Sequence, residues 1–218
     1  LTETWISPDA PNAIKLDIAP LGYSVVHFHR PNRRGGGLSV IYKLELKCKQ
    51  FNIGEFTEFE LLIVKIHDNK SSFILSVLYR PPGPTNQLFY DQLGDVIDFL
   101  HSSPTSFILC GDFNTPSDNQ FLSFLFENNL QQHVTHATHS RGNILDLIIT
   151  SSGHVNLVFD VCVCDVIYSD HKLVHSQLLF PNSPSRTIRH IYRPLNSLDP
   201  IKFKNGLSLI VDDLLPST

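Results

Sequence analysis

The sequence predicts an α+β or layered α/β protein, and two observations carry that reading. Short runs rich in Val, Ile, Leu and Phe recur along the chain, most of them bounded by Gly, Pro, Asn or Ser, and these read as strands. Helical spacing of apolar residues is confined to two segments. The first four strand-like runs are "GYSVVHFH", "GGLSVIYKL", "FELLIVKIH" and "SFILSVLYR". A helix follows in "NQLFYDQLGDVIDFLHSS", where Leu88, Leu93, Val96, Ile97 and Leu100 share roughly one face and Asp91, Asp95 and Asp98 fall largely elsewhere. "SFILCGDFN" is the next strand. "DNQFLSFLFENNL" is a shorter helix with Ser117 or Asp118 as its N-cap. Three strands close the series: "ILDLIITS", "VFDVCVCDVI" and "KLVHSQLLF". No internal repeat is visible.

A chain of 218 residues fits one large domain or two small ones. Its 42% hydrophobic and 17% charged residues place it among globular rather than disordered proteins. No apolar run approaches the roughly 20 residues of a membrane span, and no secretory leader is visible. Cys48, Cys110, Cys162 and Cys164 match neither a zinc nor a redox spacing and read as buried free thiols of an intracellular protein. The net charge of -4 argues against a general electrostatic nucleic-acid binder. It leaves room for a nucleic-acid enzyme that needs carboxylates for a metal and only a local basic strip. Composition changes at "FPNSPSRTIRHIYRPLNSLDP", which reads as a linker. The expected organisation is one domain over 1–180, then a linker and the start of a following region over 181–218, ending in an amphipathic helix. The abrupt opening at "LTETW", in a chain without Met, reads as that of a fragment whose true start lies upstream.

Polar residues that interrupt apolar strands are costly unless partnered, so they mark candidate sites. Asp112 and Asn114 end "SFILCGDFN" two positions apart, and would share a face if the extended geometry continued past the glycine. A simple turn explains the same residue types. Asp146 sits between Leu145 and Leu147; Ser169, Asp170 and His171 precede the last strand; Glu3 stands between threonines at the start. Together the acids supply oxygen ligands for a hard divalent ion. An Asp–His pair can orient and charge an imidazole beside a scissile phosphate.

"TETW", "RRGGG", "LYRPP", "CGDFN", "GNILDLIIT" and "SDHKLV" occur in an order and approximate spacing that resemble the endonuclease/exonuclease/phosphatase superfamily. Within it, "THATHSRGN" and "YSDHKLV" are most similar to the apurinic-type endonuclease domain of LINE-class non-LTR retrotransposons. The resemblance covers about residues 1–180. It implies a four-layered sandwich, two mainly antiparallel β-sheets packed face to face with helices outside. It also implies DNA as partner, Mg2+ or Mn2+ as cofactor, a nuclear place of action, no membrane, and a reverse transcriptase domain following in the intact element. Residue by residue, it implies that Glu3 binds the metal, assisted by Asp170, and that Tyr79 hydrogen-bonds near the phosphate. Asp112 would position or deprotonate the attacking water, and Asn114 would hold a phosphate oxygen. His171 would steady transition-state charge, with Asp170 orienting its ring, and Asp146 would support the network.

Arg33, Arg34, Arg80, Thr138, His139 and Arg141 are the candidate DNA contacts. "RPNRRGGG" reads equally as a phosphate-contacting loop and as a hairpin or bulge. His133, His136 and His139 recur every three residues, but the β-branched residues between them disfavour a helical zinc site. Trp5 reads as core. The family's first strand, which ends in a metal-binding asparagine, would lie upstream of "LTETW"; its loss is expected to leave sheet edges uncovered and activity weak. Two other readings remain open: a phosphatase of the same superfamily acting on lipid or small phosphates, and a non-catalytic nucleic-acid-binding remnant.

Overall fold

Alternation along the central strands sends apolar side chains to both faces of one sheet, and this dictates the layering. The computed structural model describes residues 1–30, 35–68, 71–115 and 119–179, with Ile201 and Lys204. Strands β1 (Tyr23–Phe28) and β2 (Leu38–Lys43) form one antiparallel hairpin. A six-stranded sheet follows, in the order β3 (Lys47–Phe51), β4 (Glu60–His67), β5 (Ser72–Tyr79), β6 (Phe107–Asp112), β8 (Asp146–Ser151) and β7 (Leu130–Gln132). All its pairings are antiparallel except β5 with β6. That parallel step requires a crossover, supplied by helix α2 (Gln87–Ser102). β9 (Val158–Cys164) and β10 (Leu173–Leu178) form a second antiparallel hairpin.

One face of the large sheet carries Ile63, Ile74, Leu78, Phe107, Leu109, Leu147 and Ile149. These pack against Phe89, Leu93, Val96, Ile97 and Leu100 of α2 and against Phe121 and Leu125 of helix α3 (Asn119–Glu127). On the other face, Leu62, Val64, Ile66, Val77 and Tyr79 pack under Leu38 and Val40 of the first hairpin. Ile108 and Ile148 pack with Val158, Val161, Val163 and Val174 of the second. Each such side chain, fully buried, contributes about 1.5–3 kcal/mol. The short helix α1 (Asn12–Asp17) lies outside β1, where His27 Nε2 meets the Lys15 carbonyl at 2.7 Å. The result is the expected layered sandwich. Among the described residues its second β layer consists of two hairpins that form separate two-stranded sheets. Leu1 and Thr2 extend the first hairpin by pairing with Ser39 and Leu38.

All eight strand-like runs form strands, and α2 starts at the expected place, where the Asn86 side chain caps by accepting from the Phe89 amide at 2.8 Å. α1, β3 and β7 escaped the sequence reading; they are short and bury little. Leu88 is 47% exposed, and Phe89 and Tyr90 take its expected place in the core. Trp5, expected in the core, is exposed. Cys162 and Cys164, expected buried, are exposed on the outer side of the second hairpin, and Cys48 and Cys110 are half-buried. The candidate caps Ser117 and Asp118 lie outside the described residues, as does the segment 181–218 apart from Ile201 and Lys204, which are helical. Contacts divide the chain into two units, Leu1–Ser183 and Pro184–Thr218. No helix among the described residues is long and apolar enough to cross a membrane.

Gly111 answers why the β6 strand contains a glycine just before its acid. Its φ is +134°, and a Cβ there would collide with the Leu78 carbonyl oxygen on β5. Gly111→Ala should therefore lower the free energy of unfolding by about 3 kcal/mol or more, read from urea melts. A midpoint unchanged from the parent would show that β5 and β6 are not held this closely.

Candidate active site

Register places a polar row across the end of the large sheet. Glu60 on β4 pairs with Tyr79 on β5, Tyr79 with Asp112 on β6, and Asp112 with Asp146 on β8. Cross-strand partners stand side by side on one face, so three acids and a phenol converge although they are far apart in sequence. Above them lies a cleft of about 710 Å3 lined by Glu3, Pro82, Asp112, Asn114, His139, Arg141 to Leu145, Asp170 and His171.

Asp112 is only 3% exposed. Its Oδ1 accepts from the Asn114 backbone amide at 3.0 Å and its Oδ2 from the Asn114 carboxamide at 2.8 Å. Asn114 reaches this position through a left-handed backbone, φ 43°, so the two side chains do converge past the glycine. Its amide also donates to the Arg80 carbonyl at 2.9 Å. Both N–H groups are thus spent on orienting Asp112 and the loop. In this arrangement the carboxamide orients Asp112 from within the cleft. Burial, followed by the charge of Asp146, pushes the Asp112 pKa from 3.8 to about 7, with Glu3 adding to the rise; His171 and the Asn114 amide oppose it.

His171 sits on the loop before β10, held where Lys172 N–H donates to the Thr138 carbonyl at 2.7 Å and Ser140 N–H to the Asp170 carbonyl at 2.8 Å. Its Nδ1 meets Asp146 Oδ2 at 2.8 Å, and its Nε2 lies 4.0 Å from Asp112 Oδ2. Asp146, rather than the expected Asp170, therefore orients the ring. Burial alone would lower the His171 pKa. The hydrogen bond to Asp146 and the charges of Asp146, Asp112 and Asp170 outweigh it and raise the pKa above 6.5. Asp170 instead pairs with His139, Nε2 to Oδ2 at 3.2 Å. The Arg141 amide donates to His139 Nδ1 at 3.1 Å, which leaves Nε2 as the protonated nitrogen. Asp170 is exposed, and its backbone N–H, then His139 and His171, hold its pKa below the usual range. The His139 and His171 rings meet edge to face at 4.9 Å.

Glu3 enters from the N-terminal segment with φ 52° and accepts a hydrogen bond from the Tyr79 hydroxyl. Tyr79 thus steadies Glu3. Burial, then this hydrogen bond, raises its pKa. A second anchor lies behind it: Arg30 pairs with the buried Glu60, its guanidinium 5.5 Å from the Tyr79 ring centre, and Glu60 Oε2 accepts from the Gly37 amide at 2.6 Å. Sequence reasoning passed over Arg30–Glu60. The available signal was an acid opening an otherwise apolar strand, "FELLIVKIH".

Two expected DNA contacts are placed elsewhere. Arg80 is 3% exposed; its guanidinium donates to the carbonyls of Asn114, Gly83 and Pro84 at 2.9, 3.0 and 2.6 Å and lies over the Phe89 ring at 5.1 Å. It ties the β5–α2 loop to the Asp112 loop. Thr138 is fully buried, and its hydroxyl accepts from the amides of Leu145 and Asp146 at 2.9 and 3.0 Å, fixing the start of β8. Arg141 is exposed at the cleft, and His139 lines it. Arg33 and Arg34 lie outside the described residues. The glycines after them lead into β2, whose Leu38 pairs with Phe28 of β1. His133 and His136 bond to Thr150 and Thr135, apart from His139, so the three do not gather as a zinc site.

Asp112, Asp146 and His171 bring ligand atoms within 4.8 Å of one another, as do His139, Asp170 and His171. The donors are carboxylate oxygens and imidazoles, a set suited to a divalent cation. Asp112 is repelled by Asp146 and by Glu3, and a cation would relieve that repulsion.

The sequence pattern of the endonuclease/exonuclease/phosphatase family matches residues 1–171. The chain belongs to this family. Endonuclease/exonuclease/phosphatase enzymes are hydrolases acting on phosphodiester bonds and are typically divalent-metal-dependent. No curated protein sequence matches the chain. Solved structures similar to it include the endonuclease domain of TRAS1, a telomere-specific non-LTR retrotransposon, at 16% identity and TM-score 0.58, covering 72% of this chain and 80% of that one. The 3' phosphatase NExo from Neisseria, bound to a product DNA hairpin, matches at 15% and 0.56, covering 82% and 87%. The human Nocturnin catalytic domain with bound sulfate matches at 18% and 0.57, covering 83% and 79%. At these identities the likeness establishes the fold.

The Asp112 and His171 shifts have a common sign. Both groups hold a proton in the folded state at a pH where the unfolded chain has lost it, so stability falls as pH rises through about 4 to 7 for Asp112 and above 6.5 for His171. In excess EDTA, urea midpoints should drop from about pH 5 to about pH 8, and Asp112→Asn should flatten that slope. A parent slope that is flat or rising over this range would contradict the charge balance described.

Proposed function

We propose that this chain is a divalent-metal-dependent endonuclease domain of the retrotransposon type, which nicks DNA by hydrolysing a phosphodiester bond. The observation that carries the reading is the Asp112–His171 pair, 4.0 Å apart at the cleft, each member oriented by its own partner, Asn114 and Asp146. A pKa of about 7 suits Asp112 to accept a proton from an attacking water near neutral pH. Asn114 fixes the carboxylate so that little reorganisation accompanies that transfer. His171, its protonated form favoured by Asp146, donates its Nε2 hydrogen to charge developing on the phosphoryl oxygens. Glu3 and Asp170 would hold Mg2+ or Mn2+, which when bound supplies charge neutralisation on the phosphate.

The choice of DNA rests on the six ordered motifs, with "THATHSRGN" and "YSDHKLV" nearest the LINE type, and on the exposed Arg141 beside His139 at the cleft. Similarity of fold to the TRAS1 endonuclease domain is consistent with it. In this reading, residues 1–180 are the hydrolytic domain, 181–218 lead toward a reverse transcriptase domain, and the protein acts in the nucleus.

Plasmid nicking tests the reading. Asp112→Asn should lower nicking by roughly 10^2–10^4-fold while the protein still folds. Activity should rise with pH through about 7, as Asp112 ionises. It should vanish in EDTA and return with Mg2+ or Mn2+ but not Zn2+. Near-normal nicking by the folded variant would reject Asp112 as the base. Faster phosphate release from phosphomonoesters than nicking would make the chain a phosphatase. DNA binding without either activity would make it a non-catalytic binder.

A further inference from the structure

The segment that delivers Glu3 delivers one more side chain. Trp5, two residues on, also has a left-handed backbone, φ 55°. The segment is fastened to the β1–β2 hairpin: Thr4 N–H donates to the Gly37 carbonyl at 3.1 Å and Trp5 N–H to the Gly36 carbonyl at 2.9 Å. Gly37 is in turn anchored by its amide on buried Glu60. This frame turns the indole outward. Trp5 is 62% exposed and is the single tryptophan of the chain. The ring lies close to Gly35, where a Cβ would stand 3.6 Å from it. The indole is a bulky aromatic held in an unfavourable backbone region two residues from Glu3.

What lies beside the indole is a second cavity of about 610 Å3, lined by Leu1, Trp5, Ile6, Ile14 and Ile18 together with Glu3. Glu3 also lines the cleft of Asp112 and His171, so the two cavities adjoin. A ligand with a phosphodiester at Glu3 would present its next group to a mostly apolar slot, walled by an indole and edged by Thr2, Thr4 and Ser7. The group that is flat, apolar on its faces and attached to a phosphodiester is a nucleobase. We propose that Trp5 is a stacking platform that seats a nucleobase of the bound strand in this slot, beside the scissile phosphate. This rests on reading the chain as a nucleic-acid hydrolase. It adds a contact that every base can make, because each has a π-face.

The single tryptophan provides a direct readout that does not depend on turnover. The wild-type chain in excess EDTA is titrated with a short single-stranded oligonucleotide and, separately, with an abasic sugar–phosphate strand of the same length. Indole emission should be solvent-exposed in the free protein, quenched by the first strand and unchanged by the second. In nicking assays with metal, Trp5→Ala should raise KM roughly 5- to 150-fold with little change in kcat, and Trp5→Phe should restore most of the loss. Equal quenching by the abasic strand, blue-shifted emission in the free protein, or a fall in kcat at constant KM would overturn the proposal. Quenching by the base-bearing strand without cleavage would support stacking and refute the hydrolytic reading. Cleavage without quenching would do the reverse.

Discussion

The parallel pairing of β5 with β6 is the constraint on which the rest of the site depends. It brings Leu78 against Gly111 and so sets Tyr79 beside Asp112. Any side chain at 111 would push the two strands apart, because the atom it would meet is backbone and cannot swing away. From this one contact the row extends outward: Asp112 to Asp146 through β8, and Tyr79 to Glu60 through β4. Parallel strands need a crossover, and α2 supplies it while filling the core beneath. Fold and site therefore share one cause.

Electrostatics at the site are organised at a cost. Burying Asp112 next to Asp146 is unfavourable, and the molecule offsets this first with the charge of His171 and then with the Asn114 backbone amide. The guanidinium of Arg80 is directed away, into loop carbonyls, and braces the Asn114 turn. The imidazoles each have one nitrogen committed to structure: His171 Nδ1 to Asp146, His139 Nδ1 to the Arg141 amide. At His171 the committed Nδ1 leaves Nε2 facing Asp112, whereas at His139 the Nε2 is held by Asp170.

Much of this was legible in the sequence. Strands buried on both faces read as near-continuous apolar runs, which is why "FELLIVKIH", "SFILSVLYR" and "SFILCGDFN" were recognisable. The acids that interrupt them stood out for the same reason. Pairing was not legible, because it is decided by register between segments distant in the chain. Asp170 is the immediate sequence neighbour of His171, yet Asp146 holds its ring from across a loop. Arg80 and Thr138 carry polar groups suited to DNA, but backbone groups within reach claimed both of them. Trp5 and the Cys162–Cys164 pair have apolar character that predicts burial. Their exposure follows from where the hairpins lie, which no local pattern encodes.

Among the described residues the two hairpins of the second β layer form separate sheets, yet each carries one end of the site. The N-terminal segment with Glu3 is fastened to the first, and His171 stands at the entrance to the second. Tyr79 grips Glu3, and Asp146 grips His171. Those two residues are two strand spacings apart on the large sheet, roughly 10 Å at about 4.8 Å per step. The breadth of the site is thus measured out by backbone pitch, with the six-stranded sheet serving as the ruler and each hairpin clamped to its own mark.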